Sequence, residues 1–234
     1  MRFMLLASAL ALTAACSAGA QGSTGTGTSR SFQVGAFDKI SLAGSPDVRV
    51  NVGGQPSVRA EGDAAALDRL EIQVVDGELR IGMRPGTSFG MHRGVTVHVT
   101  VPALQAASIA GSGDINIDRV QGQAFAGTVG GSGDLDVAQL RVGNASFNLT
   151  GSGGIRAAGG AQRTNAALNG SGDLSLAGFE TADATVALVG SGDIALRATG
   201  TATVQLTGSG DVDIAGGARC TVARTGSGDV SCGG

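Results

Sequence analysis

Six aspartates recur at a nearly fixed spacing and are the residues of this chain best suited to chemistry. Each closes the word Gly-Ser-Gly-Asp, and successive words begin 18 to 20 residues apart, with one variant, Gly-Ser-Gly-Gly, at Gly151. The carboxylates belong to Asp114, Asp134, Asp173, Asp193, Asp211 and Asp229. On stacked strands they would lie about 4.8 Å apart and repel one another by roughly 0.9 kcal/mol per pair in water. Each carboxylate therefore needs a compensating partner.

Two kinds of partner would compensate this repulsion. Backbone N–H groups of the same Gly-rich turn can bind each carboxylate as an Asx-type cap, and this is what we expect. A Ca²⁺ ion is the alternative, because hard cations bind clusters of oxygen ligands and glycine-aspartate repeats bind calcium in some β-rolls. Those rolls have a period of about nine residues. Here the period is about 19 residues, and no second acidic column accompanies the first.

The sequence contains no recognisable catalytic constellation. His92 and His98 are the only histidines, and His98 falls on the outward phase of a valine-rich strand, where a solvated side chain is expected. The serines recur with the turn word, whereas a nucleophile is a singular residue beside a base. No Gly-Lys-Ser or Gly-Lys-Thr follows a Gly-rich stretch, as a phosphate-binding loop requires. We therefore expect a protein that is not an enzyme and that uses no cofactor.

The three cysteines fall into two groups. Cys220 and Cys232 lie six residues on either side of Gly226, both on the inward phase of their strands. In an oxidising compartment they are expected to form a disulfide that closes the C-terminal end of the fold. Cys16 follows Leu12-Thr13-Ala14-Ala15, which resembles a bacterial lipobox with its leucine displaced by one position.

The N-terminus is typical of an export signal. Arg2 precedes an apolar run over residues 3–15 that is too short to span a bilayer. We assign residues 1–20 to a signal peptide that is cleaved either before Cys16, which would then be lipidated, or after Ala20. The mature chain is expected in the periplasm, or attached to the outer membrane as a lipoprotein, with the cell surface as a further destination.

The repeat also predicts the fold. Counted from the first glycine of each word, the positions two and four before it and four and six after it are mostly apolar, and those between are polar or small. Alternation with period two indicates a strand on each side of the turn. A unit of about 19 residues cannot bury an apolar face alone, so the units must stack. The sequence predicts an all-β fold, a right-handed parallel β-helix; a β-propeller, whose blades need about 40 residues, is the weaker alternative.

The first half of the chain is less regular. Gly44-Ser45-Pro46-Asp47 is a degenerate relative of the repeated word. Asp63 is expected to cap one helical turn, and Asp76-Gly77 is expected to close a β-hairpin. Residues 82–94 are the longest interruption and are predicted to protrude as a loop.

We divide the mature chain into two parts. Residues 21–31 are predicted to be a flexible Gly/Ser/Thr linker. Residues 32–234 are predicted to be one β-helical domain, with an irregular part over 32–110 and tandem coils over 111–234.

Composition excludes several classes of function. The chain has 41 glycines, no Trp or Tyr, and a formal net charge of −3. Without a basic surface or aromatic stacking platforms, binding to nucleic acid is excluded. Sugar-binding clefts generally use Trp or Tyr faces, and this chain has neither residue. The interior must be filled by aliphatic side chains, which suits a narrow coil.

Four segments, in this order, resemble the head GIN domain family of autotransporter-type adhesins. They are Phe37-Asp38-Lys39-Ile40, Ser45-Pro46-Asp47-Val48-Arg49-Val50, Val97-His98-Val99-Thr100-Val101-Pro102-Ala103-Leu104 and Ile109-Ala110-Gly111-Ser112-Gly113-Asp114. The resemblance extends over Phe32 to Gly234, and Gly154, in place of the turn aspartate, is its clearest departure. It implies a bacterial envelope protein with a β-helical fold, and it carries over no catalytic residue.

The expected function is therefore that of a non-catalytic, exported cell-envelope protein, a structural or adhesion-type binding module. The alternative is a calcium-binding β-helix protein, or one that binds or processes polysaccharide. The partner is an unidentified envelope or surface component, and any membrane tether would act through a lipid alone. Self-association through the N-terminal coil or the 82–94 loop also stays open.

Lipidation of Cys16 is testable by fractionation. If Cys16 carries the lipid, the Cys16→Ser variant will move from the membrane fraction to the soluble fraction, because only the acyl chains hold the domain at the bilayer. Wild-type protein from cells treated with globomycin provides the control and should fail to mature. Identical fractionation of the variant and the wild type would favour cleavage after Ala20.

Overall fold

The computed structural model describes residues 23–26, 28–84 and 94–233. This part of the chain is almost entirely β-structure, with 18 strands and one short helix, α1 (Ala64–Leu67). The strands are β1 (Ser23–Thr26), β2 (Ser29–Phe32), β3 (Lys39–Gly44), β4 (Asp47–Val52), β5 (Ser57–Glu61), β6 (Leu70–Val75), β7 (Glu78–Met83), β8 (Thr96–Val101), β9 (Ala106–Gly111), β10 (Ile115–Ile117), β11 (Val120–Gly131), β12 (Asp134–Gly151), β13 (Gly154–Gly170), β14 (Asp173–Gly190), β15 (Ile194–Gly208), β16 (Val212–Ala215), β17 (Arg219–Gly226) and β18 (Val230–Cys232). No helix within these residues is long and apolar enough to cross a membrane. The predicted signal peptide with Cys16, and His92 in the predicted loop, lie outside the described residues.

Successive coils from β9 to β18 stack in parallel and in register. Gly111 pairs with Gly131, Gly131 with Gly151, and the same match continues to Gly226. After the turn, Ile115 pairs with Leu135, and the equivalent positions of later coils continue this ladder. The predicted parallel β-helix, with coils of 18 to 20 residues, is confirmed.

Each coil contributes to three ladders, one more than the sequence predicted. The first ladder consists of the segments that end at the first glycine of the word, and the second consists of the segments that follow the word. The third begins with residues 120–126, which pair with 140–146. The chain bends at residues 118–119, and the following Val120 is fully buried in β11 opposite Leu140. In the next coil a register shift between Val137 and Leu140 interrupts the alternation with period two.

The core is a narrow column of aliphatic side chains with four buried phenylalanines, Phe37, Phe125, Phe147 and Phe179. The Phe147 and Phe179 rings meet edge to face, with their centroids 5.8 Å apart and an interplanar angle of 88°, a favourable geometry for aromatic pairs. Gly127 provides the space for Phe147, because a Cβ at position 127 would lie 3.3 Å from that ring and 2.8 Å from Leu135. Small and large side chains thus complement each other between neighbouring coils.

The degenerate word at Gly44 forms the first corner of the stack. β3 pairs with β9, which places Gly44 beside Gly111, and β4 pairs with β10, which places Val48 beside Ile115. Beyond β3 the first ladder continues into β7 and the antiparallel β6, and beyond β4 the second ladder continues into β8 and the antiparallel β5 and β2. The solenoid therefore ends in hairpin-like strands at its N-terminal side.

Local expectations for the first half also agree with the structure. Asp63 caps α1 by accepting the N–H of Ala65 at 2.9 Å, and Asp76-Gly77 closes the β6–β7 hairpin with φ values of 53° and 75°. The predicted linker over 21–31 differs from the structure, because Ser29–Phe32 forms β2 against β5. The antiparallel pairing supplies hydrogen bonds that the local composition of this segment did not reveal.

The two glycines of each word are required because the backbones of neighbouring coils approach each other closely at this turn. At the first glycine φ lies between 123° and 146° from Gly111 to Gly226, a region that L-residues rarely adopt. At both glycines a Cβ would overlap the carbonyl oxygen of the equivalent glycine in the preceding coil. The Ser and Gly N–H groups after the first glycine donate to the same kind of oxygen, for example Ser132 to Gly111 at 2.9 Å.

The steric role of the corner predicts a strong position dependence of Gly→Ala substitutions. Gly192→Ala should reduce the free energy of unfolding by at least about 2 kcal/mol, because its Cβ would overlap the Gly172 carbonyl oxygen. Gly122→Ala is the matched control, since nothing lies within 4 Å of its Cβ position. Thermal melts of both variants measure the difference, and equal stability would contradict the close stacking.

Candidate functional site

The aspartate column is held by hydrogen bonds between coils. The N–H of Asp134 donates to Asp114 Oδ1 at 2.8 Å, that of Asp211 to Asp193 Oδ1 at 3.0 Å, and that of Asp229 to Asp211 Oδ1 at 2.8 Å. The expectation of caps within each turn is therefore corrected. The N–H groups of the turn already donate to the glycine carbonyl of the preceding coil, so each carboxylate binds the amide of the next coil instead.

Gly154 divides this ladder into two series. The first runs from Asp47 through Asp114 to Asp134, and the second from Asp173 to Asp229. Between them the N–H of Asp173 donates to the backbone carbonyl of Gly153 at 3.2 Å. Gly154 thus removes one carboxylate from the column. The N–H of Asp173 in the next coil still has an acceptor, because the Gly153 carbonyl takes its hydrogen bond.

The described residues offer no assembled metal site. Across residues 23–26, 28–84 and 94–233, no group of three or more His, Cys, Asp or Glu side chains is close enough to hold an ion. Neighbouring carboxylates of the column instead share backbone amides along the stack. Calcium binding by Asp114, Asp134, Asp173, Asp193, Asp211 and Asp229 stays a prediction without a ligand set in this part of the chain.

Over the five residues that precede the first glycine of each word, the outer side of the first ladder carries no charge from β9 to β17. Each of these seven stacked segments has three outward positions, none of them acidic or basic, and we call this surface the polar face. Its residues are Ala106, Ser108, Ala110, Ala126, Thr128, Gly130, Ser146, Asn148, Thr150, Asn165, Ala167, Asn169, Thr185, Ala187, Val189, Thr203, Gln205, Thr207, Thr221, Ala223 and Thr225. It includes Val189, which is 49 % exposed and is one of two large exposed hydrophobic residues in the described part of the chain.

The charged residues of the coils lie on the other two sides. The second ladder presents the aspartate column and, one outward position further, Asp136 and Asp213. The third ladder presents arginines, among them Arg163, which donates to Asn144 Oδ1 at 3.1 Å, and Arg197, which pairs with Glu180 at 3.0 Å. The polar face is thus set apart from its surroundings by the absence of charge.

The C-terminal coil is closed by a covalent bond and an arginine. Cys220 and Cys232 form the predicted disulfide. Arg224 occupies the column that holds Leu206 in the coil below, and its Nη1 donates to the Gly228 carbonyl at 2.9 Å and to Asp229 Oδ1 at 2.8 Å. A polar side chain at this position gives the last coil a solvent-compatible end, although Val222 stays 44 % exposed.

His98 lies on β8 as expected, but it is not an isolated solvated residue. Its imidazole is 39 % exposed and lies 4.0 Å from Glu61 Oε2. Arg59 and Arg49 flank it on the neighbouring strands β5 and β4. The sequence missed this grouping because the three residues are far apart in the chain, and only the pairing of β8 with β4 on one side and with β5 on the other brings them together.

Similar solved structures share this architecture. A putative adhesin from Bacteroides fragilis matches with a TM-score of 0.82 and 19 % identity over 87 % of this chain and 95 % of that chain. A putative lipid binding protein from Parabacteroides distasonis (TM-score 0.71, 20 % identity) and a putative adhesin from Parabacteroides merdae (TM-score 0.70, 16 % identity) match over the same shares of both chains. At these identities the likeness establishes the fold. A search of curated proteins found no match.

Fold and surfaces together define a β-solenoid that presents long, regular side-chain arrays. The chain belongs to the family described as "Putative auto-transporter adhesin, head GIN domain", whose sequence model matches residues 36–218. The resemblance found in the sequence is thereby confirmed.

The ladder of carboxylates predicts a graded effect of substitutions at Asp193. Asp193→Ala should cost about 1 kcal/mol of unfolding free energy, because the N–H of Asp211 loses its acceptor. Asp193→Asn retains an acceptor oxygen and should cost less. Asp213→Ala removes an outward carboxylate of the next coil and is the control, with little expected change. Thermal melts that rank Asp193→Asn above the wild type would instead show that repulsion between the carboxylates dominates.

Proposed function

We propose that this chain is an exported, non-catalytic adhesion module whose polar face is the contact surface. The observation that carries the proposal is the run of seven stacked segments without a charged outward residue. Membership of an adhesin-type family supports it. The described residues hold no group of three or more His, Cys, Asp or Glu side chains that could bind a metal ion, and a binding role accounts for the polar face better than catalysis does.

The physical properties of the polar face suit adhesion. Its hydroxyl and amide groups can form hydrogen bonds with a partner without the desolvation cost that a buried charge imposes. Threonine is restricted at χ1 by its branched Cβ, so ordering these side chains on contact loses little entropy. Because strands lie about 4.8 Å apart, the groups form rows with a constant spacing. Many weak contacts along such rows add up to firm attachment.

Export and anchoring complete the proposal. A signal peptide over residues 1–20 would direct the chain out of the cytoplasm, with cleavage before a lipidated Cys16 or after Ala20. The Cys220–Cys232 disulfide supports an oxidising compartment. A lipid on Cys16 would leave the solenoid outside the bilayer, where the polar face could meet an envelope or surface partner.

Adhesion through the polar face is tested by introducing charge there. Fluorescent beads coated with residues 21–234 are applied to whole bacterial cells, and the retained beads are counted. The double variant Asn148→Lys/Gln205→Lys should reduce retention at least about tenfold, because two unpaired charges would be desolvated at the contact.

The matched control adds the same charge elsewhere. Gln162→Lys/Ser175→Lys places two lysines at exposed positions of the third and second ladders and should leave retention unchanged. Equal retention by the polar-face variant and the wild type, or an equal loss in the control, would refute the assignment of this face.

A further inference from the structure

The N-terminal sheet contains an open depression that the solenoid repeat does not produce. It has a volume of about 900 Å³ and lies over the outward side chains of β4, β8, β5 and β2. Arg49, Arg59 and His98 line it, together with Glu61, Asp63 and Thr96. It is separate from the polar face, because these strands extend the second ladder and the polar face belongs to the first.

Two arginines and a histidine form one row across this depression. Arg59 lies opposite His98 in the antiparallel pair of β5 and β8, and His98 lies beside Arg49 in the parallel pair of β8 and β4. Strands are about 4.8 Å apart, so the Cα atoms of the two arginines are separated by about 10 Å. Two guanidinium groups on flexible side chains at that spacing can converge on one anionic group.

The charges of this row are unevenly compensated. Arg59 pairs with Glu61 at 2.9 Å. Arg49 forms no hydrogen bond or ion pair with any described residue, and its neighbours in the row are His98 and Asn116. Placing basic groups side by side on a sheet is destabilising, and no carboxylate among the described residues pairs with Arg49. A ligand with a negative charge would provide the missing partner.

We propose that this depression binds an acidic saccharide. Its carboxylate, or an equivalent phosphate ester, would lie between the Arg49 and Arg59 guanidinium groups, which bind planar and tetrahedral oxyanions through paired N–H donors. The His98 imidazole borders the same position.

A sugar is favoured over a simple inorganic anion by the rest of the lining. The oxygens of Glu61 and Asp63 can accept hydrogen bonds from sugar hydroxyl groups, which an inorganic anion lacks. The depression is also much larger than a single phosphate or carboxylate. Because no Phe, Trp or Tyr is among the described residues that line it, charge and hydrogen bonds must hold the ring.

The test compares binding of three probes by calorimetry with residues 21–234. The probes are an oligogalacturonide, a neutral oligosaccharide of the same length and inorganic phosphate. Arg49→Gln and Arg59→Gln should each weaken oligogalacturonide binding at least about tenfold. Arg156→Gln is the matched control, because Arg156 is an exposed arginine in the same outward row, three coils further along, and it should bind as the wild type does. No variant should melt below the wild type, because the exchanged side chains are exposed.

Each other result overturns the proposal. Absence of saturable oligogalacturonide binding, or equal weakening by Arg156→Gln, would show that the depression is not a specific site. Phosphate bound as tightly as the oligogalacturonide would identify an anion site without sugar recognition, and equal binding of the neutral oligosaccharide would remove the role of the arginines. Bead retention through the polar face is independent of all these outcomes, so the two proposals fail separately.

Discussion

The backbone of each Gly-Ser-Gly corner approaches the corner of the preceding coil so closely that no Cβ fits between them. This contact fixes the register of every coil, because a shift by one residue would bring a side chain against a carbonyl oxygen. It also uses the amides of the turn, which leaves the aspartate carboxylate to bind the amide of the next coil. The period, the aspartate ladder and the straight rows of side chains all depend on the same approach.

Once the coils are in register, the outward residues of each ladder form continuous surfaces whose character follows from the repeat. The first ladder collects threonine, serine and asparagine without charge, whereas the second collects aspartates and the third collects arginines. A regular stack of this kind produces extended arrays and no deep cleft. A family of adhesin-type proteins can use such arrays because attachment depends on many repeated contacts rather than on one enclosed site.

The two ends of the solenoid depart from the repeat, and the departures have different consequences. At the C-terminal end, the Cys220–Cys232 disulfide and Arg224 cover the last coil. At the N-terminal end, antiparallel strands extend the ladders. There the order of residues is no longer set by the repeated word, and side chains of like charge from distant segments meet around His98. The depression lined by Arg49, Arg59 and His98 is therefore found where the stacking constraint is relaxed.

The sequence by itself determined the coil, its period, the first and second ladders and the disulfide, because the seven words carry the same apolar columns and the same glycines. It also determined the Asp63 cap and the Asp76-Gly77 hairpin, since both are local signals. Only the tertiary structure decided the third ladder, because register shifts between the second and third ladders interrupt the alternation with period two. It also decided the acceptors of the aspartate column, which depend on amides already used between coils. The row of Arg59, His98 and Arg49 was equally hidden, because the pairing of β8 with β5 and β4 brings together residues whose separation along the chain follows no period.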